Sequence, residues 1–148
     1  MRVRNILIAL CLLVFSVSGA VARAGDEVNI RGILVLASDR PGPPDRKLAQ
    51  FEPIFKRLRY ESFRSVGEGA AQIAVPGSGR IALGHGQSLE LDVKEADGGS
   101  VRVAVRWLDG PKPLMNAGLV LRRGTPALIG HTPTDSEGED FGVIVIVN

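Results

Sequence analysis

Through the middle of the chain, apolar residues fall at every second position. Ala71, Ile73 and Val75, then Ile81 and Leu83, then Leu89, Leu91 and Val93, and then Val101, Val103, Val105 and Trp107 follow this rule. A period of two is that of strands with one buried face. Clusters of turn-forming residues separate the runs, namely Pro76-Gly77-Ser78-Gly79, Gly84-His85-Gly86 and Asp97-Gly98-Gly99.

The last cluster can be tested against its flanks. If both odd-numbered sets face one core, odd residues pair with odd residues and the loop between them holds an odd number, which Asp97, Gly98 and Gly99 satisfy. The register then sets Val93 opposite Val103, Leu91 opposite Val105 and Leu89 opposite Trp107, with Glu90 facing Arg106 on the solvent side. Arg102 and Arg106 become exposed partners of Glu90 and Asp92, each pair worth under about 1 kcal/mol.

Two runs break the alternation. Val28 to Ala37 is rich in β-branched and aliphatic residues, and its Ile33-Leu34-Val35-Leu36, like the late Val143-Ile144-Val145-Ile146-Val147, is apolar on both faces. Each predicts a strand covered on both sides, because an exposed β-branched edge invites aggregation. Between the first of these and the alternating region, Ser38 to Pro44 interrupts regular structure and Asp45 is placed to cap a helix. Leu48, Phe51, Phe55 and Leu58 recur at helical spacing on one face, and Pro53 should kink or restart that helix. The stripe is expected to pack into the core. Leu114 to Arg122, weakened by Gly118, and Pro126 to Gly130 are two further candidate strands. The fold class predicted is mainly β with one α-helix (α+β): an antiparallel β-sandwich or barrel-like sheet, the helix following the first strand.

The N-terminus follows a different logic. Arg2 and Arg4 precede an apolar run from Ile6 to Val17, and small residues then offer cleavage after Ala24 or, in a second register, after Ala22. This reads as a cleavable signal peptide over 1–24, with 25–148 as a single β-rich domain. A membrane anchor needs about 20 apolar residues, and Ser16, Ser18 and Gly19 break this run. Cys11 lies inside the run behind Leu10, so it does not fit lipidation.

Cleavage changes the charge. Losing Arg2, Arg4 and Arg23 takes the 18 basic residues to 15 against 16 acids, a net charge of about −1. The basic character of the full chain thus belongs largely to the leader, and nucleic acid falls from the expected partners. The exported part also keeps no cysteine, so its stability must come from packing.

Familiar catalytic signatures are missing. Ser78 lacks the glycine spacing of a nucleophile elbow and reads as a turn residue, and neither glycine-rich nucleotide motif occurs. His85 and His131 each follow a glycine in candidate loops. Asp135-Ser136-Glu137-Gly138-Glu139-Asp140 gathers four carboxylates about a glycine, an arrangement that suits calcium, although no acid stands at the twelfth position of an EF-hand loop. The candidate metal ligands, for calcium or zinc, are therefore His85, His131, Asp135, Glu137, Glu139 and Asp140. The competing reading is surface histidines beside a solvated hairpin tip whose charge guards the adjoining strand. Trp107 and Tyr60 are too few to make a stacking platform for sugars or single-stranded nucleic acid.

The apolar strand ending Leu34-Val35-Leu36-Ala37-Ser38, the helix ending Phe55-Lys56-Arg57-Leu58-Arg59-Tyr60-Glu61-Ser62-Phe63, and Gly124-Thr125-Pro126-Ala127-Leu128-Ile129-Gly130 before the β-branched terminus resemble small secreted β-rich proteins of Gram-negative bacteria. The resemblance covers most of the exported part. It implies a bacterial envelope or periplasmic location and supplies no catalytic residues. Together these features lead to an exported, non-enzymatic domain that binds another envelope protein or takes part in an assembly. The alternatives are a metal- or small-ligand-binding module built on the six residues above and a hydrolase whose site no motif reveals.

Overall fold

The computed structural model describes residues 27–134 and 136–148. The leader, with Cys11 and both cleavage registers, lies outside the described residues, as do Asp135 and the side chain of His131. Eight strands and one short helical segment follow in the order β1 (Glu27–Ser38), α1 (Glu52–Phe55, preceded by a 3₁₀ turn over Arg46–Phe51), β2 (Ser62–Ala74), β3 (Gly77–Gly84), β4 (Gln87–Ala96), β5 (Ser100–Asp109), β6 (Lys112–Arg122), β7 (Ala127–Pro133) and β8 (Glu139–Val147). They form two four-stranded antiparallel sheets, ordered β2-β1-β8-β7 and β3-β4-β5-β6.

The doubly apolar strands sit where their composition requires. β1 and β8 are the two inner strands of the first sheet. Their side chains divide between two cores. Leu34, Val143, Val145 and Val147 join the odd-numbered residues of β4 and β5 in one buried cluster shared by the sheets. Ile33, Val35, Ile144 and Ile146 face the other way, onto Leu48, Phe51 and Phe55 of the helical segment. Alternation along a strand produces this division directly.

The helix is shorter than the apolar stripe predicts. Asp45 caps the 3₁₀ turn, accepting from Lys47 N–H at 2.9 Å, and Pro53 restarts the segment as a single α-turn that ends at Phe55. Leu58 still packs against the second core. The resemblance carries the helix to Phe63, but Ser62 and Phe63 open β2, where Ser62 pairs with Ser38 of β1. Cross-strand pairing wins there over local helical preference.

The β4–β5 register is as the parity argument predicts, with Val93 opposite Val103, Leu91 opposite Val105, Leu89 opposite Trp107 and Glu90 opposite Arg106. Its cause is different. The Asp97 N–H donates to the Ser100 carbonyl, closing a tight turn over Gly98 and Gly99, and a bulge at Lys94 restores the odd-to-odd pairing. The bulge also corrects one ion pair. Arg106 reaches Glu90 at 3.5 Å as expected, but Arg102 faces Glu95 and Asp92 pairs with Lys94. Ser78 is likewise a strand residue opposite Asp92, since the turn before it is confined to Val75-Pro76.

The sheets do not close into a barrel. β2 and β3 approach at one side, where a side chain on Gly67 would overlap the backbone of Leu83. On the other side β6 and β7 each end a sheet, and the residues between them carry the chain from one sheet to the other. Among the described residues no helix is long and apolar enough to cross a membrane.

Candidate functional site

Among the described residues the candidate metal ligands lie at the β3–β4 turn, on β7, and in the β7–β8 connection with the start of β8. His85 occupies the β3–β4 turn in a left-handed conformation (φ 55°) between Gly84 and Gly86, and its ring packs against Phe141 at 5.8 Å. Asp140, one residue earlier on β8, accepts a hydrogen bond from the Tyr60 hydroxyl. Successive strand residues point to opposite faces, and Phe141 packs on the core shared by the sheets. The first sheet therefore stands between His85 and the Asp140 carboxylate. His131 is a β7 residue opposite Gly142 rather than a loop residue, Glu137 is exposed in the β7–β8 connection, and Glu139 opens β8 opposite Ser38. Among the described residues no group of three or more His, Cys, Asp or Glu side chains is placed to hold a metal ion.

The Tyr60–Asp140 pair fastens the end of the helical region to β8. Burial first, and then the bond to Asp140, pushes the Tyr60 phenol up to about 12. Tyr60 also meets Phe63 edge to face, and Phe63 stacks on Phe55 at 4.2 Å. Asp45 makes a matching tie at the other end of the segment. Its carboxylate accepts from Ser65 N–H of β2 at 2.8 Å, and this bond chiefly holds its pKa below the usual carboxylate value.

The outer face of the second sheet carries a different feature. Arg80, Glu90, Arg106 and Asn116 stand in register across all four strands, with Glu90 between the two arginines at 4.0 and 3.5 Å. Beside that row, Ala104 faces Gly118 and leaves an open trough of about 720 Å³. A second groove, of about 660 Å³, runs between Pro43, Pro44, Leu48, Phe55 and Phe63, rimmed by charges of both signs.

The trough runs out to β6, whose far edge has no hydrogen-bonded neighbour strand. After a bulge near Leu114, β6 pairs regularly with β5 from Met115 to Arg122. No charge interrupts it between Lys112 and Arg122. Val120, on its outward face, is 63% exposed, which makes it the exposed large hydrophobic among the described residues. Both strands carry a proline and a bulge, but in β6 Pro113 and the bulge near Leu114 fall at its start and leave 115–122 regular, whereas the seven-residue β7 is bulged between Leu128 and His131 and ended by Pro133. Short, bulged and proline-bearing edges resist pairing, whereas long regular ones accept it. The sequence pattern does not disclose this site. Its only trace there is an uncharged run between Lys112 and Arg122, which reads as a weak strand.

No family model, curated protein or solved structure matches the chain.

Proposed function

We propose that this protein is an exported, non-enzymatic β-sandwich domain of the bacterial envelope or periplasm that binds another protein by taking one of its segments as an added strand along β6. The β6 edge carries the reading: it is long, regular, uncharged in its middle and bears an exposed Val120. Strand addition uses main-chain groups for affinity and the alternating side chains for specificity. The sandwich assignment rests on the single cluster that both sheets bury between them. Export rests on the leader, through Arg2, Arg4, the Ile6–Val17 run and the small residues to Ala24.

Two measurements test this. N-terminal sequencing of the chain from the periplasmic fraction should begin at Gly25 or Arg23, and recovery only of intact chain from the cytoplasm would count against export. A photo-crosslinking residue at Val120 in intact cells should capture a discrete partner that the same residue at Ala82, on the opposite edge strand, does not. Equal capture from both positions would refute the β6 reading.

A further inference from the structure

Resting on strand addition at β6, we infer that the segment received there is acidic and carries a large side chain opposite Gly118. The first ground is charge. β5 and β6 together hold Arg102, Arg106, Lys112 and Arg122, and Asp109 is their one acid. Glu90 answers Arg106, Glu95 stands opposite Arg102 and Asp109 opposite Lys112, but Arg122 at the free edge faces only Ser100 and makes no ion pair among the described residues. An incoming strand therefore meets one unanswered cation, Arg122, at this edge, and a complementary charge opposite it both steers the approach and fixes the register.

The second ground is shape. Asn116, Gly118, Val120 and Arg122 form the outward row of β6. A Cβ placed on Gly118 would find no atom within 4 Å, and its neighbour on β5 is only Ala104. A neighbouring strand lies about 4.8 Å away, so a large side chain opposite Gly118 leans over this gap and fills the end of the trough. Aromatic side chains fill the space beside strand glycines in the same way. Two positions along, the incoming strand meets exposed Val120 and gains from an apolar residue. Two further, it meets Arg122 and gains from a carboxylate. The recognised pattern is thus large, apolar and acidic at alternate positions.

A second copy of this chain fits less well. Antiparallel self-pairing centred on Ala117 sets Arg122 against Lys112. In every register a second β6 lacks both an acid to face Arg122 and an aromatic to fill the trough beside Gly118.

Binding of the protein to synthetic extended peptides, read by fluorescence anisotropy, tests the inference. The probe alternates threonine with tryptophan, valine and glutamate in that order. Replacing its glutamate by lysine should weaken binding about tenfold, and Arg122→Glu should reverse that preference. Replacing its tryptophan by glycine should also weaken binding about tenfold, a difference that Gly118→Trp, or Gly118→Val if the first variant does not fold, should abolish. Backbone N-methylation at alternate residues should remove binding. If methylated peptide binds equally well, strand addition itself is wrong. If unmethylated peptides bind regardless of charge, strand addition stands and the acidic assignment is overturned. Failure of every peptide to bind, with or without a dimer that Val120→Lys disrupts, overturns the inference, and the dimer would identify a second copy as the occupant.

Discussion

Gly67 of β2 runs against the carbonyl of Leu83 in β3 so closely that no side chain fits between them. At Gly69 an added Cβ would stand 2.5 Å from the Ala82 carbonyl oxygen. These two positions let the first sheet meet the second at one side. Gly67→Ala should therefore cost about 3 kcal/mol, the upper end of overpacking effects, because backbone rather than a mobile side chain must shift. Gly118→Ala should leave stability unchanged or raise it by about 0.5–1 kcal/mol. Urea unfolding midpoints at constant slope make the comparison. Similar midpoints for the two variants would show that the β2–β3 approach is looser than described.

The indole N–H of Trp107 donates to buried Gln87 Oε1 at 2.9 Å. Gln87→Leu would leave that donor without a partner in the core and should cost about 1–3 kcal/mol. Trp107→Phe removes the donor, so adding Gln87→Leu to it should cost less than the sum of the two single changes. Trp107 is the only tryptophan in the chain, so its fluorescence follows unfolding directly. Strict additivity would mean the bond contributes nothing.

Tyr60 is the only tyrosine, which allows its ionisation to be read from tyrosinate absorbance without assignment. Its folded value lies near 12, raised from 10.0 by burial and by the bond to Asp140. A raised value means that the folded state holds the proton more tightly than the unfolded chain does. The resulting stability is complete below pH 10 and disappears as the pH climbs toward 12. Tyr60→Phe should flatten that part of the stability profile, and Asp140→Asn should bring the absorbance midpoint down. An unshifted midpoint in Asp140→Asn would assign the shift to burial alone.

Asp45 behaves with the opposite sign. Chiefly the Ser65 N–H, and then the Lys47 N–H, holds its carboxyl below the ordinary value of 3.8. Its contribution is present above that value and is lost as the pH falls through the lower folded one. Asp45→Ala should cost about 1–2 kcal/mol at neutral pH as a lost cap and tie, and the variant's acid-unfolding curve should be shallower. Hydrogen exchange should quicken at Leu48 and Ser65 together, since one side chain joins the helical segment to β2.

The strands were legible wherever burial imposed a period. β3, β4, β5, β1 and β8 all carried either strict alternation or a doubly apolar run, and the β4–β5 register matched the parity of its apolar positions, although a bulge at Lys94 rather than a three-residue loop produces it. The first half of β2 was hidden, because Ser62, Arg64, Ser65, Gly67 and Gly69 are chosen for pairing with β1 and for close approach to β3 rather than for burial. The helical segment announced its apolar face correctly but not its length, which Pro53 and the start of β2 set between them. The open edge of β6 was illegible for a physical reason: it is defined by the absence of a neighbour, and only topology reveals that. Sequence alone could not show that Asp140 and Phe141, adjacent on β8, point to opposite faces, which sets the Asp140 carboxylate apart from His85.

The placement of β8 between β1 and β7 also sets an order of events. β3 to β6 form a meander in which each hairpin joins strands adjacent in sequence and closes over a short loop. The other sheet has no such freedom. Its inner pair joins the first described strand to the last, so Ile33 and Val35 stay without Ile144 and Gly142 beside them until β8 folds back across the whole meander. The fold is thus completed by the pairing that closes the longest loop among the described strands.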